Sequence, residues 1–158
     1  MRILALFALL AIAVVGIALG QGTSTMPDHG FLTKDDMKWG PGPPSLPPGT
    51  KAALLEGDPA KEGPFTLRLQ LPEGYTIQPH SHPGVEHVTV LSGTFNLGMG
   101  EKFDKGGGRA LTAGSFAFMP PGMRHFAWTT GETVIQLHGV GPWQINYVNP
   151  ADDPRSKK

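Results

Sequence analysis

Cysteine is missing from all 158 residues. Its absence excludes disulfides, thiolate nucleophiles and cysteine-based zinc sites, and leaves the redox compartment open. Net charge is missing too: 13 basic residues balance 13 acidic ones and no basic face is evident, which argues against nucleic acid as a partner. Aromatic residues are sparse, at 8%. No convincing amphipathic helix is legible, and no internal repeat of roughly 20–50 residues. What the chain has instead is Gly and Pro, 22 and 16 residues, spread between short apolar runs. That pattern predicts many turns and short strands, about eight to ten of them, and hence a sandwich or barrel.

One long apolar run breaks the pattern. Met1 and Arg2 precede an unbroken apolar or small stretch from Ile3 to Leu19. Ala18-Leu19-Gly20 then supplies small residues for a cut before Gln21, so residues 1–20 read as a secretory signal and the protein as periplasmic or secreted. An uncleaved membrane anchor is the alternative. Residues 21–50 read as an extended arm, because PGPPSLPPG at 41–49 lacks the N–H groups an interior strand or helix requires. The arm can lie across the domain or reach a neighbouring subunit. His29, Asp35 and Asp36 on it read as solvated residues, not ligands.

Residues 51–148 form the expected β-domain, and 149–158 a polar tail. Phe65 to Leu71 alternates leucine and phenylalanine against Thr66, Arg68 and Gln70, the period of a half-buried strand. Strands are also expected at 86–91, 94–99, 115–119, 125–129 and 133–138, with turns at Ser92-Gly93 and Gly131-Glu132. Gly106-Gly107-Gly108 reads as flexible loop, since no strand and helix flank it as a phosphate cradle requires. Phe116, Phe118, Phe126, Trp128 and Tyr147 read as core.

The chemistry concentrates between Gly74 and Gly93, in GYTIQPHSHPGVEHVTVLSG. His80 and His82 share one face of a strand, with backbones about 7 Å apart. Pro83-Gly84 turns the chain, and Glu86 opens the next strand with a carboxylate. A second stretch, GSFAFMPPGMRH, ends on His125. Three imidazoles and a carboxylate bind a borderline divalent ion such as Fe, Mn, Ni or Zn, leave one or two coordination positions open, and keep about one positive charge on the centre. His87 has the opposite parity to Glu86 and is expected to face away. Gln136 and His138 share a face of a late strand. If that face lines the cavity, they touch substrate or orient a ligand; otherwise they are a packed polar pair. Arg68 and Gln70 carry the same ambiguity, with a structural role favoured.

The spacing G-x5-H-x-H-x3-E-x6-G is met by Gly74, His80, His82, Glu86 and Gly93. The spacing G-x5-P-x-G-x2-H-x3-N is met by Gly114, Pro120, Gly122 and His125, with Thr129 in place of Asn. Together they resemble the two motifs of the cupin superfamily. The resemblance implies an all-β jelly-roll barrel with a metal at its centre, held by His80, His82, Glu86 and His125, and commonly a homodimer. It also makes oxidation of a small organic molecule by dioxygen the first activity expected. Zinc or manganese Lewis-acid chemistry (isomerase, lyase or hydrolase) and a non-catalytic periplasmic ligand-binding or sensing barrel are the alternatives.

Overall fold

Two long strands, each bent at a glycine, build the domain. The structure is a computed structural model and describes residues 30–156. The expected signal segment 1–20 and His29 lie outside the described residues, and no helix among the described residues is long and apolar enough to cross a membrane. The chain divides into Met1–Phe31 and a compact unit from Leu32 onward, which holds every element named below.

The strands in chain order are β1 (Gly40–Pro41), β2 (Lys51–Glu56), β3 (Gly63–Leu71), β4 (Thr76–Ser81), β5 (Glu86–Met99), β6 (Arg109–Thr112), β7 (Phe116–Met119), β8 (His125–Gly141) and β9 (Asn146–Tyr147). Among the described residues, helical structure is confined to four single turns. All pairings are antiparallel. The second half of β8 lies between β3 and the first half of β5, which continues to β7. The first half of β8 lies between β4 and the second half of β5, which continues to β6. Thus β5 and β8 each pass from one sheet into the other, and the two sheets close on a common core as a jelly-roll barrel.

The turns expected at Ser92-Gly93 and Gly131-Glu132 are therefore bends inside continuous strands. The pairing register shifts on both sides of Ser92, as bulges require. Gly93 has φ 75° and Gly131 φ 72°. A side chain at Gly93 would run into the backbone of Glu132 and Thr133. The fully buried Thr133 pins the bend: its Oγ1 accepts from Thr94 N and lies 3.1 Å from Thr94 O, to which it donates. Sequence shows the glycine but not its partner strand, so a coil and a reversal look alike.

The period of two in β3 holds. Phe65, Leu67, Leu69 and Leu71 are buried and join Val88, Val90, Ile135 and Leu137 from one sheet with Ile77, Phe95, Leu97 and Ala127 from the other. Phe116 and Phe118 are not core, with 53% and 61% exposure. β7 turns Ala117 and Met119 inward, opposite Val88 and Glu86, and its phenylalanines outward. The Gly100–Arg109 segment is tied down, with Phe103 against Phe126 and Trp128 and the Asp104 side chain accepting from Gly106 N.

The Pro-rich arm lies across the domain. β1 pairs with β2, Leu46 is buried, and the hydroxyls of Tyr75 and Tyr147 donate to Pro47 O and Ser45 O. Gly93→Ala is expected to lower stability by more than about 2 kcal/mol in urea unfolding, through strain and overpacking. Gly40→Ala, with nothing within 4 Å of the added carbon, is expected to be close to neutral. Equal losses from both would show that the bend is not the constraint.

Candidate metal centre

A bulge aims the first histidine. In β4 the register shifts between Ile77 and His80, and Pro79, which has no N–H to give a ladder, falls inside that shift. Ile77 and His80, three residues apart, consequently both face the interior. His80 lies opposite His125 of β8 on one side and Tyr147 of β9 on the other. His82 follows two residues on, its carbonyl held by Gly122 N at 2.8 Å from the Pro120-Pro121-Gly122 turn. Glu86 opens β5 opposite Met119. All four residues are buried, none more than 6% exposed.

Each imidazole is fixed through Nδ1 to a backbone carbonyl. His80 Nδ1 donates to Gln78 O at 2.7 Å, His82 Nδ1 to Gln144 O at 2.8 Å and His125 Nδ1 to Met123 O at 3.0 Å. A carbonyl only accepts, so all three protons sit on Nδ1 and all three Nε2 lone pairs are left for the interior. The three histidines offer ligand atoms within 4.8 Å of one another and could hold a metal ion. Glu86 Oε2 lies 3.1 Å from His125 Nε2 and 3.4 Å from His82 Nε2. His82 Nε2 is buried and has no hydrogen-bond partner among the described residues. Lone pairs facing a carboxylate repel unless a cation stands between them. Either extra protons or one divalent ion supplies that cation, and the donor set, three imidazole nitrogens and a carboxylate oxygen, suits an ion of the first transition row or zinc.

The electrostatics disfavour the protons at His80. Burial, then the neighbouring imidazoles of His125 and His82, push it down to about 3. Burial alone would raise Glu86; where His125 and His82 carry a second proton, their Nε2–H groups and charge outweigh it and hold the carboxyl below its ordinary range. Trp143 stacks on His82 with ring centres 4.1 Å apart and planes 18° apart, closing the remaining freedom of that ring.

The cluster sits in the wall of a cavity of about 350 Å³. Leu67, Leu69, Ile77, Phe95, Ile135 and Leu137 supply its barrel side, and Pro43 to Leu46, Pro59, Trp143 and Ile145 its outer rim. This is the apolar wall with a few convergent polar groups that small-molecule sites show.

Gln136 and His138 are not in it. β8 turns Ile135 and Leu137 to the cavity, so its even-numbered residues face outward. There Arg68 Nε donates to Gln136 Oε1 at 3.1 Å, and His138 stacks on His87 with ring centres 4.7 Å apart. Arg68 and Gln70 belong to the same outward face. Asp36 Oδ2 accepts from Thr33 N and Oγ1, capping an exposed turn that also contains Asp35. Thr129 accepts from Tyr75 N at 2.9 Å and donates to Pro72 O at 2.6 Å, so it ties the turn ahead of β4 to β8. Sequence reasoning missed the rim: Leu46 within the proline run, Trp143 within the break after β8, and Arg155 in the tail. A large apolar residue inside a breaker-rich segment was the available signal for the first two.

Comparison with known proteins agrees with this geometry. Residues 28–144 match the family model of the ChrR cupin-like domain. Among solved structures, the polyketide cyclase RemF from Streptomyces resistomycificus superposes with a TM-score of 0.61 at 18% identity, covering 80% of this chain and 89% of that one. An acetylacetone dioxygenase from Acinetobacter johnsonii gives 0.59 at 19% identity, over 82% and 83%. An RmlC-like cupin from Shewanella frigidimarina gives 0.56 at 17% identity, over 71% and 90%. At these identities the likeness is one of fold. No curated protein matches the chain in sequence.

Two outcomes are expected. His82→Ala should leave well under one equivalent of metal by elemental analysis, whereas Gln136→Ala should leave metal content and ligand binding unchanged. In metal-free protein, unfolding frees His80 to take a proton below 6.5 that the native state refuses until about 3. The unfolded state then binds more protons, so stability falls as pH drops through that window, and the depressed Glu86 acts in the same direction at the acid end. A urea midpoint lower at about pH 4.5 than at about pH 7.5 is the expected reading; a flat profile would contradict it.

Proposed function

Because the chain belongs to the family of ChrR cupin-like domains, matched over residues 28–144, we propose that it is a metal-dependent enzyme acting on a small, largely apolar organic molecule, with oxidation by dioxygen as its reaction. The observation that carries this reading is the convergence of three carbonyl-fixed imidazoles on one wall of an apolar cavity. His80, His82, Glu86 and His125 would hold the ion. When bound, the ion supplies electrophilic and, if redox-active, electron-transfer chemistry to ligands in its open positions.

The protein's own residues do the rest. Glu86 contributes the negative charge that offsets part of the ion's, which lowers the attraction for stray anions while leaving the centre electrophilic. The leucines and isoleucines of the wall exclude water, so a substrate oxygen in the cavity meets little competition. Trp143 and the Gln144 carbonyl hold His82 in plane and in tautomer.

A redox-neutral reaction at the same ion, with zinc or manganese as Lewis acid, is the second reading, supported by the likeness of fold to a polyketide cyclase. A sensing barrel that retains its ligand without turnover is the third. Export, from the apolar run at 3–19, and a homodimer belong to the same proposal. Elemental analysis of protein purified without added metal, followed by oxygen-electrode assays on small enolisable and aromatic compounds, tests the reading. About one equivalent of iron with substrate-dependent oxygen uptake is expected. Zinc without uptake would favour the second reading, and tight ligand retention without turnover the third.

A further inference from the structure

Five ionisable side chains line the cavity: the three histidines, Glu86 and Arg155. The first four form one cluster. Arg155 stands apart from them in the chain, on the last helical turn, Pro154–Ser156, with a half-exposed side chain. All other lining residues are apolar except Ser45. A cationic residue at the edge of so apolar a space needs a reason.

Its hydrogen bonds show that it is held in place. Arg155 Nε donates to Asp153 Oδ1 at 2.8 Å and to Oδ2 at 3.1 Å, and Nη2 donates to Asp153 Oδ2 at 2.7 Å. Nη2 also donates to Ile145 O at 2.9 Å, and Ile145 is itself part of the cavity wall. One edge of the planar group is thus occupied by Asp153 and by the wall. Nη1 makes no hydrogen bond among the described residues. With Nε and both Nη2 protons engaged, Nη1 alone is left to donate, on a group whose orientation is already set and which has less side-chain freedom left to lose. The same fixed edge holds the tail against the rim.

From this placement we infer that the cavity selects molecules bearing a carboxylate on an apolar body, and that Arg155 is the specificity-determining residue that receives the carboxylate through Nη1. The inference rests on the cavity being the substrate site. It assigns the two polar features different work: Arg155 takes the anionic group at the rim, and the cluster is left to the reacting part of the molecule. Neutral molecules of the same bulk would fill the wall but leave Nη1 to water.

The test compares hexanoate with hexanol by calorimetry on the full mature chain, with metal bound and after chelation. Wild type should bind hexanoate about tenfold more tightly than hexanol, a charge-assisted hydrogen bond's worth of discrimination at a partly exposed site. Arg155→Gln should erase the preference and leave metal content unchanged. Hexanol affinity should be unchanged in that variant. A purely structural role for Arg155 predicts that the variant loosens the tail and weakens hexanoate and hexanol alike, so that result would overturn the assignment. Absence of any preference in wild type would also overturn it. So would a preference that vanishes on chelation, which would put the carboxylate on the metal. Metal content, read separately, reports on the metal centre itself, so a failure there is distinguishable from a failure at Arg155.

Discussion

Three backbone carbonyls govern what this protein can do. Gln78, Gln144 and Met123 each take the Nδ1 proton of one imidazole and so decide which nitrogen is left bare. Rotate any carbonyl away and the ring could flip or change tautomer, leaving a buried N–H pointed at its neighbours. Two of the three clamps are local, each from the residue two before its histidine. The third reaches across 62 positions to the segment between β8 and β9. The site is therefore only as well formed as the barrel that brings Gln144 beneath His82.

That dependence explains why so much of the fold serves one wall of one cavity. The bends at Gly93 and Gly131 let β5 and β8 contribute to both sheets, which places Glu86 and His125 on strands that share the same core. The bulge in β4 corrects the parity so that His80 faces inward beside Ile77. Thr129, at a position where the superfamily motif carries Asn, keeps the ladder and its preceding turn together with two hydrogen bonds. The family membership shown by residues 28–144 is thus backed by local geometry, although the chemistry of the reaction is set by ion and ligand.

Much of this was legible in the residues. Alternation in Phe65 to Leu71 gave the strand and its buried face, and the H-x-H-x3-E spacing with His125 gave the cluster. What was not legible depended on partners distant in sequence. Phe116 and Phe118 read as core because they are aromatic, yet an edge strand opposite Glu86 had room inward only for Ala117 and Met119. Gln136 and His138 had a definite common face, but which face looks inward is decided by the pairing with β3 and β5, not by β8 alone. The rim was hidden for a related reason. Arg155 and Leu46 sit in segments without periodicity, where only tertiary contact reveals a role.

The long reach of the third clamp has a temporal side. As the chain emerges from the ribosome or crosses a membrane amino end first, His80, His82 and Glu86 appear well ahead of His125, and Gln144 later still. Until that last carbonyl arrives, nothing fixes the tautomer of His82, so the three-histidine arrangement is complete only once the segment after β8 has been made. Any ion these histidines hold would then be taken up by the finished polypeptide, in the compartment where its final turn settles.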